Sequence, residues 1–173
     1  MIGARGDRWV IVPYDADWPA AFEREAAALR EAFTGVETLR EHVGSTAVPG
    51  LGAKPIIDIM LGVRDLADVT SRMPTLREHG YQYVRKYEAQ LPDRRYFRKP
   101  VRRPRTHHLH AVVVGSPFWV DHLRFRDHLR MHADVARAYY ELKLRLVKEC
   151  SAAGTDYTEA KSPFIQAVLT GSP

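Results

Sequence analysis

One carboxylate stands inside an otherwise apolar run, Ile56-Ile57-Asp58-Ile59-Met60-Leu61-Gly62-Val63, and no other stretch constrains the fold as tightly. A short run this rich in branched apolar residues reads as a strand covered on both faces, so helices must pack on each side of the sheet that holds it. An ionised Asp58 within it is expensive to desolvate unless a cation, a metal or several hydrogen bonds meet it, which places Asp58 near an edge where a partner is available. Upstream, Leu39, Glu41 and Val43 alternate with Arg40 and His42, the period-two pattern of a second strand. Between the two, Gly44, Ser45 and Thr46 offer closely spaced backbone N–H groups and two hydroxyls without bulk, which suits a loop that approaches an anion. Pro49, Gly50 and Gly52 punctuate the loop, and Lys54 adds a cation.

The flanking sequence supplies the covering layers. Asp17 is placed to cap a helix with Pro19 in its first turn, and Phe22, Ala26, Leu29 and Phe33 mark one apolar face before Gly35. Asp65 opens another helix, interrupted at Pro74. The alternation of Tyr81, Tyr83, Arg85 and Tyr87 predicts a strand, Leu91-Pro92-Asp93 a turn, and Arg94–Lys99 the returning strand of a hairpin, with Glu88 and Asp93 as further acids near the sheet. Arg8–Val12 reads as a strand or extended arm. Ser116 and Pro117 start a helix that turns Trp119, Leu123 and Phe125 inward, and Val135, Tyr139, Leu142 and Leu146 form the stripe of another, ended by Gly154. Asp156 and Glu159 suggest a capping box for a last helix whose start Pro163 could shift to Ser162. His122, His128 and His132 read as surface residues, and Tyr14 and Trp18 as packing residues.

The chemistry-bearing candidates gather around Asp58. His108 and His110, at i and i+2 on a strand over 106–114, face one way, so with Asp58 they make a three-ligand set for a divalent metal (magnesium, manganese or zinc) with an open position; the alternative is a pair of hydrogen-bonded core histidines. A histidine triad is excluded because Val112 stands where a third histidine would be required. Seven of the twelve residues from Arg94 to Arg105 are Arg or Lys. Arg94, Arg95 and Arg98 lie on a strand beside the proposed site and could offset phosphate charge, whereas Arg102, Arg103 and Arg105 read as a solvated loop. Tyr157, Thr158 and Lys161 could reach the same ligand.

At 173 residues the chain suits one domain with one core. A net charge of +5 favours anionic ligands. Cys150 is the single cysteine, which excludes an intrachain disulfide and makes a reducing cytoplasm the default compartment. No run reaches the length of a membrane span or a signal core. Nucleic acid is a weaker candidate partner than a nucleotide or other phosphorylated small molecule, because only Tyr96 and Phe97 interleave with the basic segment.

The turn Val43-Gly44-Ser45, followed after twelve intervening residues by Asp58 in a hydrophobic strand, resembles the nucleotidyltransferase superfamily typified by DNA polymerase beta. HVGSTAVPGLGAKPIIDIMLGV is more similar to the GrpB family (UPF0157), a group of that fold with no defined biochemical role, and PYDADWPAAFEREAAALR, THHLHAVVV with FWVDHLRFRDHLRMH, and YTEAKSPFI resemble it too. The resemblance spans almost the whole chain. It implies a single α/β domain over 1–173, a nucleotidyltransferase-like mixed sheet with strands near 37–43, 56–63, 81–87, 94–99 and 106–114. It further implies nucleotidyl transfer from a nucleotide held by Gly44, Ser45, Thr46, Lys54, Arg94, Arg95 and Lys161, with Asp58 catalytic. Catalytic members of the superfamily carry a second acid two residues on; here that position is Met60. GrpB-like segments also occur fused to dephospho-CoA kinase, where they resemble an accessory part, so a non-catalytic binding module is the alternative.

Overall fold

The computed structural model describes residues 10–102, 104–153 and 156–171, with the backbone alone considered for 151–153. Arg8, Trp9, Arg103 and Gly154, to which the sequence assigned an arm, a loop and a helix end, lie outside the described residues. The described chain runs α1 (Trp18–Ala32), β1 (Leu39–Val43), β2 (Ile57–Val63), α2 (Leu66–Ser71), α3 (Met73–Glu78), β3 (Gln82–Tyr83), β4 (Arg94–Lys99), β5 (His107–Val113), α4 (Pro117–Met131), α5 (Ala133–Ala153), α6 (Tyr157–Ala160) and α7 (Ser162–Thr170). The strands form one mixed sheet in the order β1-β2-β5-β4-β3. Only β2 and β5 run parallel; the other neighbours are antiparallel. This is the α/β sheet with helical cover that the apolar run at β2 required.

Period two divides the sheet into two chemically different faces. Ile57, Ile59, Leu61 and Val63 of β2, with Leu109 and Ala111 of β5 and Phe97 of β4, pack against Trp18, Phe22, Ala26, Leu29 and Phe33 of α1 and its C-cap and against Val69 and Leu76 of α2 and α3. The opposite face carries Asp58, Met60 and Gly62, aligned with His108, His110 and Val112 and then with Arg98, Tyr96 and Arg94. Helix α4 crosses one end of that face, where Trp119 joins Val43, Met60 and Val112 in a second apolar cluster. Gly62 makes this crossing possible: a Cβ there would lie 2.6 Å from the Trp119 ring. The loop after Thr46 is clamped from the other side, with Val48 and Leu51 packed on Leu129, Tyr139, Phe164 and Ile165 of α4, α5 and α7.

Most element ends follow the sequence signals. The Asp65 carboxylate accepts from the Ala67 N–H (2.7 Å), the Ser116 hydroxyl from Trp119 (3.4 Å) and Asp156 from Thr158 (2.6 Å). Asp17 occupies the N-cap of α1 without capping through its side chain; the Asp15 carboxylate takes the Asp17 N–H instead (2.9 Å). The strand expected over 81–87 shortens to Gln82–Tyr83. Beyond Val84, whose N–H still reaches Tyr96, the local bonds Glu88 N–H to Arg85 and Leu91 N–H to Tyr87 replace the ladder, and Arg85–Tyr87 winds into a 3-10 turn. Val12 makes a short antiparallel bridge to Ala53 in place of a full strand. Among the described residues no helix is long and apolar enough to cross a membrane.

Candidate functional site

The polar end of the second sheet face, called the cleft below, holds Asp58 with its side chain 30% exposed. Asp58 is the second residue of β2, opposite Val43 on β1 and His108 on β5, so the end of β1 delivers the Gly44 turn directly onto its carboxylate. Gly44 has φ +73°, and a Cβ at this position would lie 2.6 Å from Asp58 Oδ2. Both the left-handed backbone and the close approach therefore require glycine. The 3-10 turn Ser45–Ala47 starts there with no side chain capping it. Tyr139 of α5 turns its phenol to the Ser45 hydroxyl.

Asp58 Oδ1 lies 3.1 Å from His108 Nδ1 and 3.7 Å from His110 Nε2. Burial alone would raise the Asp58 pKa, but the hydrogen bonds and charge supplied by His108 and His110 outweigh it and hold the carboxyl well below the usual carboxylate range. His110 moves the other way: burial brings it down to about 4, so at neutral pH a neutral imidazole faces an ionised carboxylate. Its tautomer follows from its other neighbour. Arg94 Nη1 sits 3.3 Å from His110 Nδ1, and a guanidinium only donates; Nδ1 must accept, and the ring proton is left on Nε2, toward Asp58. The Arg94 guanidinium lies 5.2 Å from the ring centres of both Tyr96 and Phe118, and its Nε has no hydrogen-bond partner.

Three lysines from three separate segments lie close enough to repel one another, Lys54 and Lys161 also within the influence of Asp58. Lys54 precedes β2, Lys143 is on α5 and 2% exposed, and Lys161 joins α6 to α7. Lys54 Nζ lies 4.0 Å and Lys161 Nζ 4.7 Å from the centre of the Tyr157 ring. Lys143 donates to the Gly52 carbonyl (2.5 Å) and lies 5.1 Å from the Tyr139 ring centre. Burial, reinforced by repulsion from Lys161, lowers both Lys54 and Lys143 to about 7, while Asp58 and Asp156 act in the opposite sense on Lys54. Burial also lowers Lys161. Like charges packed this closely out of water are destabilising to the chain that holds them and favourable to an anion that enters.

Of the residues singled out from sequence, Gly44, Ser45, Lys54, Asp58, Arg94, His108, His110 and Lys161 meet in this cleft. Thr46 does not offer its hydroxyl to a ligand: it is buried, 3.0 Å from His42 Nε2 and bonded to the Ile56 carbonyl (3.3 Å). Arg95 lies on the opposite sheet face by the same alternation that brings Arg94 in, and it pairs with Glu88 at 3.1 Å and with the Pro92 carbonyl. Glu88 is thereby removed as a source of a further acid, and Asp93 lies in the exposed turn before β4. Met60 fills the second-acid position as part of the Trp119 cluster, fully buried. His122, read from sequence as a surface residue, belongs to the site: its ring stacks on Phe118 at 3.8 Å, centred 6.4 Å from His110, and burial lowers its pKa. His122 and Lys143 shared one overlooked signal. Each sits three or four residues from buried aromatic or aliphatic positions on its own helix, Trp119 for the first, Tyr139 and Leu146 for the second, so each is in register with an inward stripe.

A resident metal fits these side chains poorly. Both imidazoles direct a ring nitrogen at a single carboxylate oxygen, His110 with its proton on that nitrogen, and cations stand on either side of the group. Among the described residues no cluster of three or more His, Cys, Asp or Glu side chains could hold a metal ion.

The GrpB protein family model matches residues 8–170. A UPF0157 protein of Pseudomonas aeruginosa is 39% identical over 169 residues, covering 96% of this chain and 68% of that protein. The glutamate-rich protein GrpB of Alkalihalophilus pseudofirmus is 31% identical over 174 residues, with 98% of each chain covered. Among solved structures, the conserved protein GrpB from Enterococcus faecalis superposes with a TM-score of 0.84 at 33% identity, over 94% of this chain and 96% of that one. With a family model that matches residues 8–170 and relatives of this identity and coverage, the chain belongs to the GrpB family.

Proposed function

We propose that the cleft binds a phosphorylated small molecule, with nucleotides foremost among the candidates. The observation that carries this reading is the burial of Lys54, Lys143, Lys161 and Arg94 around a turn whose leading glycine lies against the sheet. Buried cations in excess of carboxylates are retained where an anion completes them. In this reading the lysines and Ser45 take the phosphate groups, and Arg94 with Tyr96, Phe118 and His122 takes the rest of the ligand by charge and ring contact.

Thermal unfolding in the presence of ATP, ADP, AMP and sulfate tests it. A ligand at a hundred times its Kd stabilises the fold by about 2.7 kcal/mol, which raises the Tm by roughly 5–10 °C for a domain of this size. The expected result is a rise with phosphorylated ligands that Lys161→Met reduces. No rise with any of them would remove the reading.

A second reading, nucleotidyl transfer within a nucleotidyltransferase-type fold, is supported by one specific feature: the Gly44-Ser45 turn delivers an ionised Asp58 to the cleft, where its carboxylate could position an attacking hydroxyl or amine. Met60 favours the non-catalytic alternative, an accessory binding module, because no second acid shares that face of β2. Release of pyrophosphate from ATP in the presence of candidate acceptors, lost in Asp58→Asn, separates the two.

A further inference from the structure

We infer that the anion enters this cleft free of metal, its charge offset by cations built into the chain. The inference rests on the phosphorylated-ligand reading and narrows it to metal-free polyphosphate-bearing species. Three independent features point this way. The first is the orientation of the imidazoles: Arg94 Nη1 donates to His110 Nδ1 at 3.3 Å, which fixes the His110 proton on Nε2 toward Asp58, 3.7 Å away. A ligating nitrogen needs its lone pair, so in this arrangement His110 serves Asp58 as a hydrogen-bond donor. His108 meets the same carboxylate oxygen at 3.1 Å, and Asp58 is thereby engaged from both sides by the chain itself.

The second feature is the missing oxygen ligand. Divalent ions that travel with phosphates prefer several oxygen donors, and the neighbouring position on the strand is Met60, sealed by Val43, Val112 and Trp119. The third is the placement of charge. Lys54 and Lys161 lie against the Tyr157 ring, with Lys143 behind them at 2% exposure and donating to the Gly52 carbonyl, while Arg94 holds the far end among Tyr96 and Phe118. Among the described residues, Asp58 and Asp156 act on Lys54 and Lys161. A cleft already lined with ammonium and guanidinium groups repels a further divalent cation and attracts a bare polyphosphate.

Calorimetric titration of the full chain with inorganic triphosphate, once in EDTA and once with excess Mg²⁺, tests this. The expected result is saturable binding in EDTA that Mg²⁺ weakens by about threefold or more, because the metal neutralises the charge the lysines recognise. Lys161→Met should reduce the EDTA affinity about tenfold by removing one charge-assisted contact. Asp58→Asn should bind as well as or better than the parent, since it removes a negative charge beside the anion; its melting curve shows whether the fold survives, and Lys161→Met carries the test if it does not. Binding that is absent in EDTA and restored by Mg²⁺ or Mn²⁺, or lost in a folded Asp58→Asn, overturns the metal-free inference and leaves the phosphate reading standing. Absence of binding in both buffers, for inorganic triphosphate and for nucleotides alike, overturns both.

Discussion

Gly44 answers two demands at once, a positive φ and a side-chain-free approach to Asp58, whereas Gly50 in the same loop answers only the first. Gly50 has φ +76° and nothing within 4 Å of where a Cβ would be. Alanine at either position adds backbone strain of about 1–2 kcal/mol. Only Gly44→Ala must also displace the Asp58 carboxylate, 2.6 Å from the new Cβ. The expected outcome is that both variants unfold at lower denaturant, with Gly44→Ala the more destabilised because it must also push the turn off Asp58. Equal losses of stability in the two variants would mean that the close approach to Asp58 costs nothing beyond the backbone strain. The same residue scale explains why Arg94 and Arg95 part company despite being adjacent and chemically identical: on a strand, one step in sequence reverses the face.

At the scale of elements, the cleft exists because α4 can lie close on β2. Trp119 occupies the space over Gly62, and with Met60, Val43 and Val112 it closes one end of the polar face. Gly62→Val forces the indole away and overpacks this joint, with an expected loss of about 3 kcal/mol in unfolding free energy and a red-shifted tryptophan emission. Unchanged stability would mean that α4 is held elsewhere. The strands of this joint were legible in the sequence because β2 is short, branched and apolar, and because Leu39–Val43 and His107–Val113 alternate cleanly. The presence of β3 was legible but its extent was not. Tyr81, Tyr83, Arg85 and Tyr87 carry the same alternation, but a pattern cannot reveal where the partner strand ends, and here the ladder to β4 stops at Val84. Helices α4 and α5 were legible as apolar stripes. Their contributions to the cleft, His122 and Lys143, were not, because a polar residue in register with such a stripe announces burial only when the neighbouring elements are known.

For the molecule as a whole, the sequence shows a net charge of +5, and folding concentrates part of that charge in a confined space. Gly44, Ser45, Asp58 and the two histidines could be placed together from motif and period. Lys54 and Lys161 were also named from the sequence, whereas Lys143 was not, since packing between elements far apart in the chain brings it to them. Their burial has a thermodynamic signature. Lys54 and Lys143 are lowered to about 7 from the ordinary lysine value of 10.5. Between those limits the unfolded chain binds more protons than the native one, so the stability contributed by these groups rises with pH across the window and falls as pH drops toward 7. A bound polyanion favours their charged forms and reverses the shift. At pH 8 ligand binding should therefore take up roughly one proton, read from the difference in calorimetric enthalpy between Tris and HEPES buffers, and at pH 6 the uptake should vanish. Equal enthalpies in both buffers at pH 8 would mean that the lysines do not meet the ligand.

The central claim, that this cleft is an anion site completed by a phosphorylated ligand, is tested most directly by a crystal structure of the chain with inorganic triphosphate. The expected result is phosphate density within hydrogen-bond reach of the ammonium groups of Lys54 and Lys161 and of the main-chain amide of Ser45. Density found instead on the outer arginines around Arg102 and Arg105, with the cleft closed by its own side chains, would contradict it.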